Sequence, residues 1–170
     1  MLSRRITLLT SLILMLGVGV WLSASAPERI TASETPNRES AEKLPGLVGD
    51  GIADDTAAIQ ALINTRGTVH FPKGTYRITQ PILVNLDTTG YAAFRSDGTA
   101  TLVMAGAGPA IRFVGTHDGT ASPPTVKPEI WDRQRTPRIS NLEIVGAHAE
   151  ADGIEASGTM QLSIHVVTIR

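Results

Sequence analysis

The chain contains no cysteine, which excludes disulfides, thiolate nucleophiles and cysteine-ligated metal sites. Aromatic residues make up only 4% of it, and 15 basic residues nearly cancel 16 acidic ones. That balance removes any electrostatic reason to seek nucleic acid. Long helical apolar patterns between its short alternating runs are also lacking, which argues against a doubly wound α/β sheet. What the chain has in quantity is glycine (16) and proline (10) within 170 residues of 42% apolar content. Such a composition favours one modest domain of short strands and turns over a helix bundle.

The N-terminus reads as a targeting segment. Arg4 and Arg5 precede the apolar run Ile6 to Leu22, and Ala24 with Ala26 fit the spacing of a cleavage site. Pro27 directly after that site is expected to hinder cleavage, and the apolar run approaches the length of a membrane span. Residues 1–26 are therefore read as a signal peptide or an N-terminal membrane anchor, and both place the remainder outside the cytoplasm, secreted or in the cell envelope. The "SRRITLL" start points only weakly to twin-arginine export, because Thr7 stands where that signal usually has an aromatic. Residues 27–46 carry Ser, Thr, Glu, Pro and Lys with little apolar periodicity and read as a disordered linker.

The folded domain is expected over residues 47–170. Within "VGDGIADDTAAIQALI", Asp55 is the expected N-cap of a helix from Thr56 to Asn64, with Ala58, Ile59, Leu62 and Ile63 on one apolar face. Gly67 is its expected left-handed terminator. A helix of that length is too short to stand alone and must lie on something. Short strands follow: Val69 with Phe71, Tyr76 with Ile78, Ile82 with Val84 and Leu86, Leu102 with Met104, and Ile111 with Phe113 all alternate at period two. "LEIVG", Leu142 to Gly146, repeats the pattern of "IRFVG", Ile111 to Gly115. The set Ile139, Leu142 and Ile144 recurs twenty-five residues later as Ile164, Val167 and Ile169. A repeat of that length made of strands and turns signals a β-solenoid, in which each coil buries its inward side chains on its neighbours. A β-sandwich would alternate similarly but has no reason for register-matched coils. The first coil needs a cap, and the Thr56 helix is in the right place to supply one.

The series "GDGIADDTAAIQALI", "GTVHFPKGTYRIT" and "PILV" resembles the N-terminus of the pectate-lyase-like superfamily of single-stranded right-handed parallel β-helices, a group that includes polygalacturonase-type glycosidases and phage tailspike proteins. The resemblance is strong from Val48 to about Leu86 and rests on strand pattern alone from Thr99 to Arg170. Residues 87–98 and the long loop Thr116 to Pro137 read as insertions. The fold class expected is all-β, a right-handed parallel β-helix with an N-terminal capping α-helix. The resemblance implies action on extracellular polysaccharide, of lyase or glycoside hydrolase type. The alternative is a non-catalytic β-helix for glycan binding or surface attachment, since fold does not determine function. Polysaccharide is thus the expected partner, with no nucleic acid, contact with a membrane only through an uncleaved N-terminal segment, and a homotrimer suggested by the tailspike relatives.

The resemblance assigns Asp50, Asp54 and Asp55 to the turn and the cap, with catalytic groups on the side of middle coils. Their spacing matches no calcium-ligand loop, so Ca²⁺ enters by resemblance only. Hydrolysis needs two carboxylates across the bond, and Asp152 with Glu155 are the nearest candidates, though a solvated surface acid explains Glu155 as well. His165 and Arg170, outward on the last coil, could serve lyase chemistry only with partners from further coils. His70, His117, His148 and His165 show no metal-ligand spacing. "GAGPAI", Gly106 to Ile111, lacks the lysine and following helix of a phosphate loop and reads as a turn. Trp131 with Arg133, Arg135 and Arg138 is either a stacking platform for sugars or part of a loop lying over the coils. No catalytic, cofactor-binding or metal-ligating residue is assigned. The chain ends at Arg170 inside a strand pattern with no closing element, so an N-terminal fragment of a longer protein is expected.

Overall fold

A computed structural model describes residues 46–117, Gly119 and 122–170. The expected targeting segment and nearly all of the expected linker lie outside the described residues. Within them no helix is long and apolar enough to cross a membrane. Among the described residues nine strands form: β1 (Asp50–Asp54), β2 (Thr68–Phe71), β3 (Gly74–Ile78), β4 (Ile82–Asn85), β5 (Ala93–Met104), β6 (Gly108–Val114), β7 (Arg138–Gly146), β8 (Ala151–Ser157) and β9 (Ser163–Ile169). Helix α1 spans Thr56–Arg66, and the single turn α2 spans Leu86–Thr89.

Every pairing between these strands is parallel. One sheet runs β1-β3-β5-β7-β9, with β2 also on β5, and the other runs β4-β6-β8. Parallel neighbours require a long crossover. Here the crossover is a strand of the other sheet: the chain leaves β3, passes through β4 and returns as β5 beside β3. The result is an all-β arrangement of parallel strands around an apolar interior, compatible with a β-helix-like fold.

Register turns the period-two alternation into columns. Val69 pairs with Phe94, Phe94 with Ile139, and Ile139 with Ile164. Tyr76, Leu102, Ile144 and Ile169 form a second inward column, and Ile82, Ile111 and Ile154 a third. Phe71, Phe94 and Phe113 are fully buried, with successive ring centroids 6.3 and 6.1 Å apart. Each such side chain contributes roughly 1.5–3 kcal/mol by leaving water. The twenty-five-residue recurrence of Ile139, Leu142 and Ile144 is therefore a real structural repeat, since all three pair in register with Ile164, Val167 and Ile169. The match between "IRFVG" and "LEIVG" is not: Ile111 lies on β6 and pairs with Ile154, whereas Leu142 lies on β7 in the other sheet. Five-residue strand patterns of this kind are too common to fix register.

Helix α1 buries Ile59, Leu62 and Ile63 in the same core and ends at Gly67, whose φ of 67° and bond to the Ile63 carbonyl make the expected left-handed stop. It runs two residues beyond the expected Asn64. The expected side-chain cap is absent. The Asp55 carboxylate turns away from the helix and is 1% exposed, accepting from the Val48 and Gly49 amides at 2.7 and 3.2 Å. Asp54 instead receives the Thr56 amide at 3.0 Å.

Of the expected insertion at residues 87–98, only part departs from the repeat. Asn85 caps α2 through the Asp87 amide, but Ala93 to Ser96 is a regular strand segment paired with all of β2. The irregularity is confined to residues between Arg95 and Ala100. Stacked beside it, Asn141 and Val166 both take left-handed φ, 54° and 52°, and bend β7 and β9 at the same register position. The long loop carries a π-helical turn, Ile130–Gln134, and is pinned rather than free. Ile130 and Gln134 are each 2% exposed, and the Gln134 amide donates to Asp87 and to Thr116 while accepting from the Thr116 backbone.

Candidate functional site

The three motif aspartates are occupied by the backbone around them. Asp50 accepts from the Ile52 and Ala53 amides at 2.8 and 2.9 Å, and those bonds hold its carboxyl below the usual range. Asp54 accepts from the Thr56 hydroxyl and from Thr79 Oγ1 at 2.6 Å, which lowers its pKa in the same way. Asp55 ties the entry strand to α1. These bonds give all three carboxylates a structural task at the entry to the fold. Among the described residues, no three His, Asp or Glu side chains gather closely enough to hold a metal ion.

The sequence candidates do not converge. Asp152 and Glu155 lie three positions apart on β8, both exposed, and Asp152 borders a different hollow beside Gly146, Ile169 and Arg170. Glu155 is bound to Arg112 of β6 at 2.9 Å. Ala156 is exposed, since among the described residues no strand pairs with β8 on its far side. Arg170 is engaged too: its Nε donates to Glu143 at 2.6 Å, and Thr101 donates to the same carboxylate at 2.8 Å. These bonds, Arg170 first, lower the Glu143 pKa. His148 accepts from the Glu150 amide within its own turn. The arginines near Trp131 are separated, since Arg138 begins β7 while Arg133 and Arg135 stay exposed by the π-helical turn.

A site the sequence reading did not assemble lies on the outer face of β2, β5 and β7. Alternation that sends Val69, Phe94 and Ile139 inward sends His70, Arg95 and Ser140 outward, in register as one column that continues to His165. Thr68, Ala93 and Arg138 form the neighbouring column. Between them opens a cleft of about 550 Å³, also lined by Tyr91, Asp97 and Asn141. His70 Nε2 lies 3.2 Å from Asp97 Oδ1. Asp97 is placed by the excursion after Arg95, which is itself fastened: buried Ser96 donates to the Asn141 carbonyl and accepts from the Gly98 amide at 3.0 Å. Arg95 and Arg138 are exposed, and among the described residues neither is in an ion pair. The available signal was the register: once β2, β5 and β7 are aligned, the outward residues name themselves.

The description "Rhamnogalacturonase A/epimerase, pectate lyase-like" belongs to the family model that matches residues 43–109. That match covers 67 of the 170 residues and marks the segment as similar to pectate-lyase-like proteins. That segment holds α1, β1 to β5 and seven of the ten residues lining the cleft. A solved chain of Geobacillus virus E2, titled ORF18, is similar to 71% of this chain at 23% identity, with a TM-score of 0.51. This chain covers 23% of that one, and at such identity the likeness concerns the fold alone. No curated protein matches the chain. A pectate-lyase-like domain on parallel strands points to a polysaccharide-related β-helix protein.

Proposed function

We propose that the chain is a right-handed parallel β-helix, closed at its first rung by α1, that binds extracellular polysaccharide across the outer face of β2, β5 and β7. The observation that carries this reading is the cleft itself. It is a groove on an otherwise regular sheet face, with hydrogen-bonding side chains presented at strand spacing and one half-exposed aromatic, Tyr91, to cover a sugar ring. The right-handed sense follows from the general rule for parallel crossovers. The segment 1–26 supports export, whether it is cleaved or retained as an anchor, and 27–46 serves as the tether.

Cleavage is the second reading, and the His70–Asp97 pair favours it: a carboxylate on one ring nitrogen orients an imidazole as a base. The two readings separate when the full chain is incubated, with and without calcium, with uronate-containing and neutral polysaccharides. Binding without unsaturated products or new reducing ends supports the binder. Product that disappears in His70→Ala supports the enzyme. Retention of no polysaccharide at all sinks both.

A further inference from the structure

We infer that the cleft is an anion seat: Arg95 and Arg138 together hold a carboxylate or sulfate substituent of the bound glycan, on a face separate from the one that carries Arg112 and Glu155. This rests on the reading of that face as a polysaccharide surface. Arg138 pairs in register with Ala93, two residues before Arg95, and both arginines belong to the outward set. One strand step and two residue steps separate them, about 8 Å between Cα atoms. Guanidinium groups at that distance can close on one anion from two sides, each through paired N–H donors.

The surrounding charges favour the same ligand. The cleft's acid, Asp97, is engaged by His70, and its other polar lining is uncharged: Thr68, Tyr91, Ser96, Ser140 and Asn141. Two arginines of the described surface stand against a carboxylate, Arg112 on Glu155 and Arg170 on Glu143. Arg95 and Arg138 have no such partner, like Arg77, Arg133 and Arg135, but among the described residues they are the two arginines that line one cleft. A net charge of −1 gives no general attraction for polyanions, so preference for one must come from a local patch.

The test is affinity electrophoresis or calorimetry of the full chain on neutral dextran, dextran sulfate and polygalacturonate. At least one anionic polymer should bind tighter than dextran, and which one does so identifies sulfate or carboxylate as the substituent. Arg95→Ala with Arg138→Ala should weaken that binding by about tenfold or more, with thermal unfolding unchanged because both side chains are exposed. Lysine at both positions should restore only part, and Arg133→Ala, away from the cleft, should leave it intact. Equal binding to dextran, or full anionic affinity in the double variant, overturns the anion seat alone. No binding to any of the three polymers overturns the polysaccharide reading beneath it.

Discussion

The side-chain amide of Gln60 pairs with the backbone of Leu83 as a neighbouring strand would: its Nε2 donates to the Leu83 carbonyl and its Oε1 accepts from the Leu83 amide, both at 2.8 Å. β4 begins its sheet, so its outer edge has no strand beside it. An open edge is a template for unwanted pairing, and one glutamine from α1 closes part of it. Gln60→Ala is expected to lower stability by about 1–2 kcal/mol, read from urea unfolding, because it strands both backbone groups. Gln60→Glu should fall near the same value, since a carboxylate accepts from the amide but repels the carbonyl. Unchanged midpoints in both variants would remove the clamp from the account.

Asp54 links the start of α1 to Thr79, and its hydrogen bonds hold its pKa below the ordinary 3.8. A depressed folded pKa stabilises the protein above the unfolded pKa, and the contribution is lost as pH falls through the folded value. Asp54→Ala should therefore be less stable than wild type at pH 7, and the difference should shrink below about pH 4. Thermal melts across pH 2.5–7 measure it; a gap that stays constant or widens in acid contradicts the assignment.

Two glycines distinguish steric necessity from backbone preference. A Cβ on Gly106 would lie 1.9 Å from the Thr79 carbonyl oxygen of the rung below, so Gly106→Ala should cost about 3 kcal/mol or more, or prevent folding. Gly98, at φ +85°, has no atom within 4 Å of its added Cβ. Gly98→Ala should cost only the left-handed penalty, about 1–2 kcal/mol. Chemical denaturation of the pair gives the order.

Column position should set the cost of core truncation. Phe94 is fully buried between Val69 and Ile139, and Phe94→Ala is expected to lose about 3–5 kcal/mol. Ile164 continues the same column but is 51% exposed, so Ile164→Ala should lose about 1 kcal/mol or less. Equal losses would mean that β9 is covered on its far side.

Much of the fold was legible because its signals are local and strong. The helix stop at Gly67, the alternation in β2 to β6 and the twenty-five-residue recurrence each follow from backbone geometry that a few residues determine. What was not legible depends on which groups the folded chain brings back together, near or far in sequence. Asp55 looked like a cap because nothing in the sequence tells that Val48 and Gly49 return to claim its oxygens. Asp152 and Glu155 looked like a pair, but Glu155 is taken by Arg112 of the neighbouring strand. The cleft stayed hidden because His70, Arg95 and Arg138 are unremarkable surface residues until register places them side by side, and the 33 residues between β5 and β7 contain a loop that disguises that register.

The left-handed bend shared by Asn141 and Val166 carries a consequence for how such a molecule can change. Asparagine tolerates that conformation and valine does not, so position 166 holds local strain that Val166→Asn would relieve without touching the interior. Because the kink recurs at one angular station on two successive turns, a lineage could adjust rigidity there and rewrite the exterior lettering beside it independently, leaving the aliphatic stack as an unaltered spine.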